Sequence, residues 1–173
     1  MLTLKPKPLS AASFKAFGDV IDRQDAEQFE INYGLTTRFH DMADIDVNDQ
    51  GGQTGFSIFS AQAASLPHTV KVMEYHPLGS QLFYPLCHSP FLILVAEPAE
   101  QPNINQLQLF ISNGNQGVNY HKGVWHHYLM PLDKTSDFVV IDRVCNNTTG
   151  NPPCNKDNCV EFNFEQTIII DMV

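Results

Sequence analysis

Between residues 55 and 143 the chain is written in short β-prone runs separated by turn clusters, with no long helical stretch between them. The runs are residues 55–60, 70–76, 81–86, 90–96, 128–132 and 137–143. The breaks include Pro77-Leu78-Gly79-Ser80, Asn113-Gly114-Asn115 and Asp133-Lys134. Short strands at such spacing predict an all-β barrel or sandwich. A parallel sheet is disfavoured, because its crossovers need helices that this sequence does not supply. Residues 106–112 read equally well as a helical turn or a strand. A hydrophobic fraction of 43% in 173 residues is enough for one sizeable core, so residues 1–173 are expected to form one domain.

The two ends differ from the middle. Ser10 can cap a helix over residues 11–17, Leu9 and Phe14 can staple it, and Gly18 can end it. Such a short helix belongs on the periphery, packed through Phe14 and Phe17. Residues 46–53 read as a loop, and residues 145–159 as an irregular, Asn/Pro/Thr-rich one. Beyond them, residues 160–164 and 167–170 are strand-like. The Thr-Ile-Ile-Ile run would promote aggregation if its edge were open, so it should be paired within the barrel or against a second subunit.

Cys87, Cys145, Cys154 and Cys159 read most simply as free thiols, with a zinc site or a disulfide among the last three as the alternative. A formal net charge of −9 repels phosphate backbones and disfavours nucleic acid as a partner. No run is apolar enough for a bilayer span, and residues 1–10 lack the pattern of a signal peptide. The expected setting is the cytoplasm.

Two regions hold chemistry-bearing residues. In residues 70–76, strand alternation puts Val70, Val72, Glu74 and His76 on one face, and Gln81 and Phe83 can continue that face on the next strand. A face that begins apolar and ends in Glu and His predicts a cavity with functional groups at one end. Residues 117–127, GVNYHKGVWHH, hold His121, His126 and His127 with Tyr120 and the only tryptophan. Gly123 marks a turn. If the strand after it is regular, His126 and His127 face opposite ways, with His127 outward. Trp125 is expected in the core, and His40 as a structural hydrogen-bonding group.

The spacing Glu74-x-His76, four residues, Gln81, and later Gly123-x-x-His126 resembles the two motifs of the cupin superfamily, with two of the four ligand types replaced. At family level, HPLGSQ (residues 76–81) with Tyr84-Pro85, and QGVNYH (116–121) with GVWHH (123–127), resemble the ureidoglycolate lyase family. So do FGDVI (17–21), RFHD (38–41) and IDR (141–143).

The resemblance implies a cupin-like antiparallel β-barrel, of the double-stranded β-helix or jelly-roll type, with short peripheral helices. It implies cleavage of (S)-ureidoglycolate to glyoxylate and urea in allantoin and purine breakdown, by a homodimer. The site would hold a divalent ion such as Ni²⁺, or none, on Glu74, His76, Gln81 and His126. His76, His126, Glu74 and His121 are the candidate acids and bases. Arg38 and Arg143 are candidate clamps for the substrate carboxylate, or structural partners of Asp41 and Asp142. Gln81 and Tyr120 are candidate substrate contacts, and Asn119 suits a turn as well as it suits the substrate. An amidohydrolase releasing ammonia and a non-catalytic small-acid binder stay open. An iron-dependent dioxygenase is disfavoured by the two replaced ligands.

Overall fold

The run FLILVA at Phe91–Ala96 is buried along its whole length. Phe91, Ile93 and Val95 enter one apolar cluster, while Leu92, Leu94 and Ala96 enter another. Strand alternation explains the split: one strand has a core on each face.

The structure is a computed structural model that describes residues 1–145 and 158–172. Its elements are β1 (Leu2–Leu4), β2 (Lys7–Pro8), α1 (Ala11–Phe14), β3 (Gly18–Ile21), β4 (Glu27–Ile31), β5 (Thr36–His40), β6 (Gln53–Ala61) and β7 (His68–Tyr75). There follow β8 (Gln81–Pro85), β9 (Phe91–Ala96), β10 (Gln108–Ile111), β11 (Gly117–Tyr120), β12 (Trp125–His126), β13 (Met130–Pro131), β14 (Ser136–Val144) and β15 (Val160–Ile170). The larger sheet has the order β1-β15-β7-β12-β9-β10-β2, with β13 also on β9; the smaller is β3-β11-β8-β14-β6. Pairing is antiparallel except for β1 on β15 and β2 on β10. The result is an all-β, cupin-like curled barrel, as the sequence implies.

The cluster that unites the two sheets joins Phe83, Val118, Phe138 and Val140 of the smaller sheet to Phe91, Ile93, Val95 and Phe110 of the larger. Phe14 and Phe17 cap it from the N-terminal segment, with the Phe14 and Phe110 rings 5.4 Å apart. On the other face of the larger sheet, Trp125, Met73, Ile168 and Ile170 pack with Leu92 and Leu94.

Local expectations fare unevenly. Ser10 does accept from the Ser13 N–H, at 3.3 Å, but α1 stops at Phe14, and Gly18 opens β3 as a strand residue. Residues 106–112 resolve into a short turn and β10. The 128–132 run reduces to β13. The two C-terminal runs form one strand, with a register shift against β7 between Asn163 and Ile168. At that shift β7 loses its alternation. Val70 packs with Met73 in the second cluster, so it does not share a face with Glu74 as expected. The Ile168–Ile170 part of the Thr-Ile-Ile-Ile run is paired on both sides, by β7 and β1.

Cys145 is disulfide-bonded, against the expectation of free thiols; Cys87 and Cys159 are free, and Cys154 lies outside the described residues. Most of the expected 145–159 loop also lies outside them.

The two-sided burial of β9 sets a stability expectation. Phe91→Ala removes a fully buried ring that meets Phe138 edge-on at 5.1 Å. It should cost about 3–5 kcal/mol in urea unfolding, whereas Lys71→Ala, on an exposed position, should change stability by less than about 0.5 kcal/mol.

Candidate active site

Ladder register brings the site together. In the β7–β12 pair, His126 lies directly opposite Glu74. Directly opposed residues on adjacent strands share a face, so the two side chains meet: His126 Nε2 is 3.6 Å from Glu74 Oε1. His76, just past the end of β7, puts its Nε2 4.0 Å from the same oxygen. In the smaller sheet, Gln81 lies opposite Tyr120. The Tyr120 ring stacks on His126, with centroids 4.2 Å apart and planes 12° from parallel. Each sheet therefore supplies one cross-strand pair, and the pairs face each other across the barrel.

The hydrogen bonds fix how these groups are presented. His126 Nδ1 is fixed on the Val124 carbonyl at 3.0 Å, which leaves Nε2 facing Glu74. That nitrogen is buried and has no hydrogen-bond partner. His76 Nδ1 meets the Asn158 carbonyl, and its Nε2 is 3.1 Å from Gln81 Oε1. Gln81 is oriented by donating its amide N–H to Asp142 Oδ2 at 3.3 Å, so its oxygen must face the histidine. The approach of His126 holds the Glu74 carboxyl below its ordinary value, against the upward push of burial. Burial, and next the neighbouring His126, lower His76. Burial keeps the Tyr120 hydroxyl protonated by raising it strongly.

Glu74, Gln81, Tyr120 and His126 sit at the wall of a cavity of about 540 Å³, and His76 stands behind Glu74 and Gln81, outside that lining. The lining joins Glu74, Gln81, Tyr120, His126 and His127 to Phe59, Phe83, Tyr128, Leu129 and residues 60–62. One ligating atom each from Glu74, His76 and His126 lies within 4.8 Å of the others. Two imidazoles and a carboxylate suit a first-row divalent ion. Each histidine has its other ring nitrogen on a backbone carbonyl, the usual support of a metal-bound imidazole. The orphaned His126 Nε2 has a use in such a site, so the residues fit a metal, with Gln81 Oε1 beside them.

Four other candidates lie elsewhere. Asn119 points away from Tyr120, as alternation requires, and its amide donates to Asp19 Oδ2 and to the Asp44 carbonyl, both at 2.9 Å. His121 is half-exposed and pairs with Asp19 at 3.2 Å. Arg143 is buried and holds the 49–51 turn, donating to the Asp49 carbonyl at 3.0 Å and to that of Gln50 at 3.3 Å. Arg38 is exposed on β5, its guanidinium over the Phe29 ring. None of the four lines the cavity.

A family model described as ureidoglycolate lyase matches residues 1–171. The chain belongs to the ureidoglycolate lyase family. Among its relatives is a ureidoglycolate lyase of Burkholderia mallei (strain NCTC 10229), 50% identical over 143 residues, which span 83% of this chain and 84% of the relative. One from Pseudomonas fluorescens is 44% identical over 96% of this chain and 94% of the relative. One from Pseudomonas putida is 43% identical over 99% of this chain and 98% of the relative.

This family member also has a histidine pair that strand alternation hides. His127 is buried, not outward: its Nδ1–H donates to the Val72 carbonyl at 2.7 Å, and its Nε2 is 3.1 Å from His68 Nε2. β12 ends at His126, so the two-residue period does not carry through to His127. Nor does His40 act as expected, since its Nδ1 is buried without a partner. Asp142 and Asn158, which orient Gln81 and His76, are reached only through the fold.

Burial lowers His127 to about 4, below the ordinary 6.5. The folded state then binds fewer protons than the unfolded one between those values. Stability should be complete above pH 6.5 and should fall as pH drops toward 4, by on the order of 3 kcal/mol from this residue. Urea unfolding of His127→Gln across that range should show a shallower slope than the parent; an equal slope would assign the acid sensitivity to other groups.

Proposed function

We propose that this chain is a ureidoglycolate lyase: it cleaves (S)-ureidoglycolate to glyoxylate and urea, in the cytoplasm, as a homodimer of single cupin-like domains. The observation that carries the reading is the match along almost the whole chain to relatives of that name. The convergence of Glu74, His76 and His126 beside a cavity supports it.

The reaction is collapse of a carbinolamine. A base takes the hydroxyl proton, the new carbonyl forms, and the urea nitrogen leaves after gaining a proton. Glu74 is held as a carboxylate at neutral pH and faces the cavity, so it is the group placed to take the hydroxyl proton. His76, which burial holds below its ordinary value, stands with its Nε2 4.0 Å from a Glu74 oxygen and is placed to relay that proton to the leaving urea nitrogen. Gln81, locked by Asp142, keeps His76 oriented. Tyr120 fixes the plane of His126 by stacking, and Phe59, Phe83 and Leu129 keep bulk water from one side of the pocket. A divalent ion held by Glu74, His76 and His126 would supply Lewis acidity for the substrate oxygens.

Purified protein incubated with ureidoglycolate should release urea and glyoxylate in equal amounts. Ammonia in place of urea would identify the amidohydrolase. Glu74→Gln, nearly the same shape without the charge, should lower kcat by roughly 10²–10⁴-fold. A parental kcat in that variant would remove Glu74 from proton transfer.

A further inference from the structure

The substrate of the proposed reaction is an anion, yet no lysine or arginine is among the described residues that line the cavity. The wall instead carries the Glu74 carboxylate. A carboxylate that enters beside Glu74 needs a cation there, and a guanidinium gives the two-pronged match. The chain has three arginines. The guanidinium of Arg143 is committed to the 49–51 turn. Arg38 lies on β5 of the β4–β5 hairpin, over the Phe29 ring, and Arg23, in the connection that precedes β4, lies over the Phe39 ring.

Among the described residues, that hairpin joins neither of the two larger sheets. It forms a two-stranded sheet of its own. Its turn leaves Tyr33 and Leu35 exposed at 106% and 87%, and Tyr33 has a φ of 61°, a costly conformation for a bulky residue. A matching gap lies beside the cavity. Among the described residues β6 is an edge strand paired only with β14, and it exposes Phe56 at 70% and Ile58 at 60%. Its end, Phe59 to Ala61, forms the cavity rim. A nine-residue apolar edge is normally covered.

We propose that the site is completed in trans: in a two-fold dimer, the hairpin of each copy lies over β6 of the other and delivers Arg38 to its pocket as the carboxylate clamp. The occupant is a second copy because each copy has both halves, a hairpin with exposed Tyr33 and Leu35 that carries Arg38, and an apolar edge beside a pocket with a carboxylate and no lysine or arginine among its described lining residues. A two-fold interface requires such self-complementarity. The proposal uses the lyase reading only for the identity of the anion.

Mixed dimers test it. The parent should sediment as a dimer. Arg38→Ala should lower kcat/KM for ureidoglycolate by about 30-fold or more, mainly through KM, with partial recovery in Arg38→Lys. Arg23→Ala should leave it unchanged. Arg38→Ala and Glu74→Gln, each inactive alone at low substrate, should regain roughly a quarter of parental activity when differently tagged copies are mixed, because half the dimers then hold one complete pocket. A monomeric parent, a parental kcat/KM in Arg38→Ala, or mixed dimers that form but stay inactive would overturn the proposal. If the parent releases no urea, the lyase reading fails by itself. Oxalate binding by calorimetry still decides the clamp: it should be lost in Arg38→Ala, and undiminished binding would overturn the proposal.

Discussion

The site depends on one ladder contact, the pairing of β12 with β7 that sets His126 opposite Glu74. β12 has only two residues, and it lies between β7 and β9. Its position is held on one side by Trp125 and His126 against Ala96 and Val95, and on the other by His126 against Glu74. A slip of one residue would bring Trp125 or His127 to Glu74 and turn the imidazole out of the cavity. The burial of Trp125 opposes such a slip, because its ring fills the second apolar cluster, 4.5 Å from Tyr75, and its N–H donates to the Ala99 carbonyl at 3.0 Å. A packing residue thus sets the position of its chemical neighbour.

The second core gives that arrangement its rigidity. With β9 buried on both faces, the strand beside β12 has no solvent-facing side on which to relax. The smaller sheet then has to present Gln81 and Tyr120 at a fixed distance. The histidines are oriented largely by backbone carbonyls, at Val124 and Asn158, and so by the path of the chain.

Much of this was legible in the sequence, and the rest failed for identifiable reasons. Alternation along residues 70–76 and the turn after it put Glu74, His76 and Gln81 together, and the resemblance to the cupin motifs added His126. Val70 was misplaced because the register shift opposite it, in β15, leaves no mark within residues 70–76. His127 was misread because a period of two holds only while the ladder lasts. Asn119 and His121 sit in the same block as Tyr120, but alternation and a turn send them to Asp19. Arg143 looked available because the carbonyls that hold it, at Asp49 and Gln50, come from a segment more than ninety residues away. Backbone acceptors are the partners that a sequence displays least.

Asn158 ties the last described strand to the site, through its carbonyl at His76 and its side-chain oxygen, which accepts from Leu78 N–H at 2.7 Å. Those contacts join residues about eighty positions apart. While the polypeptide is being made, β7, β8 and β12 can all emerge and pair before residue 158 exists. A nascent chain can therefore form these pairings while His76 still lacks the Asn158 carbonyl that orients it.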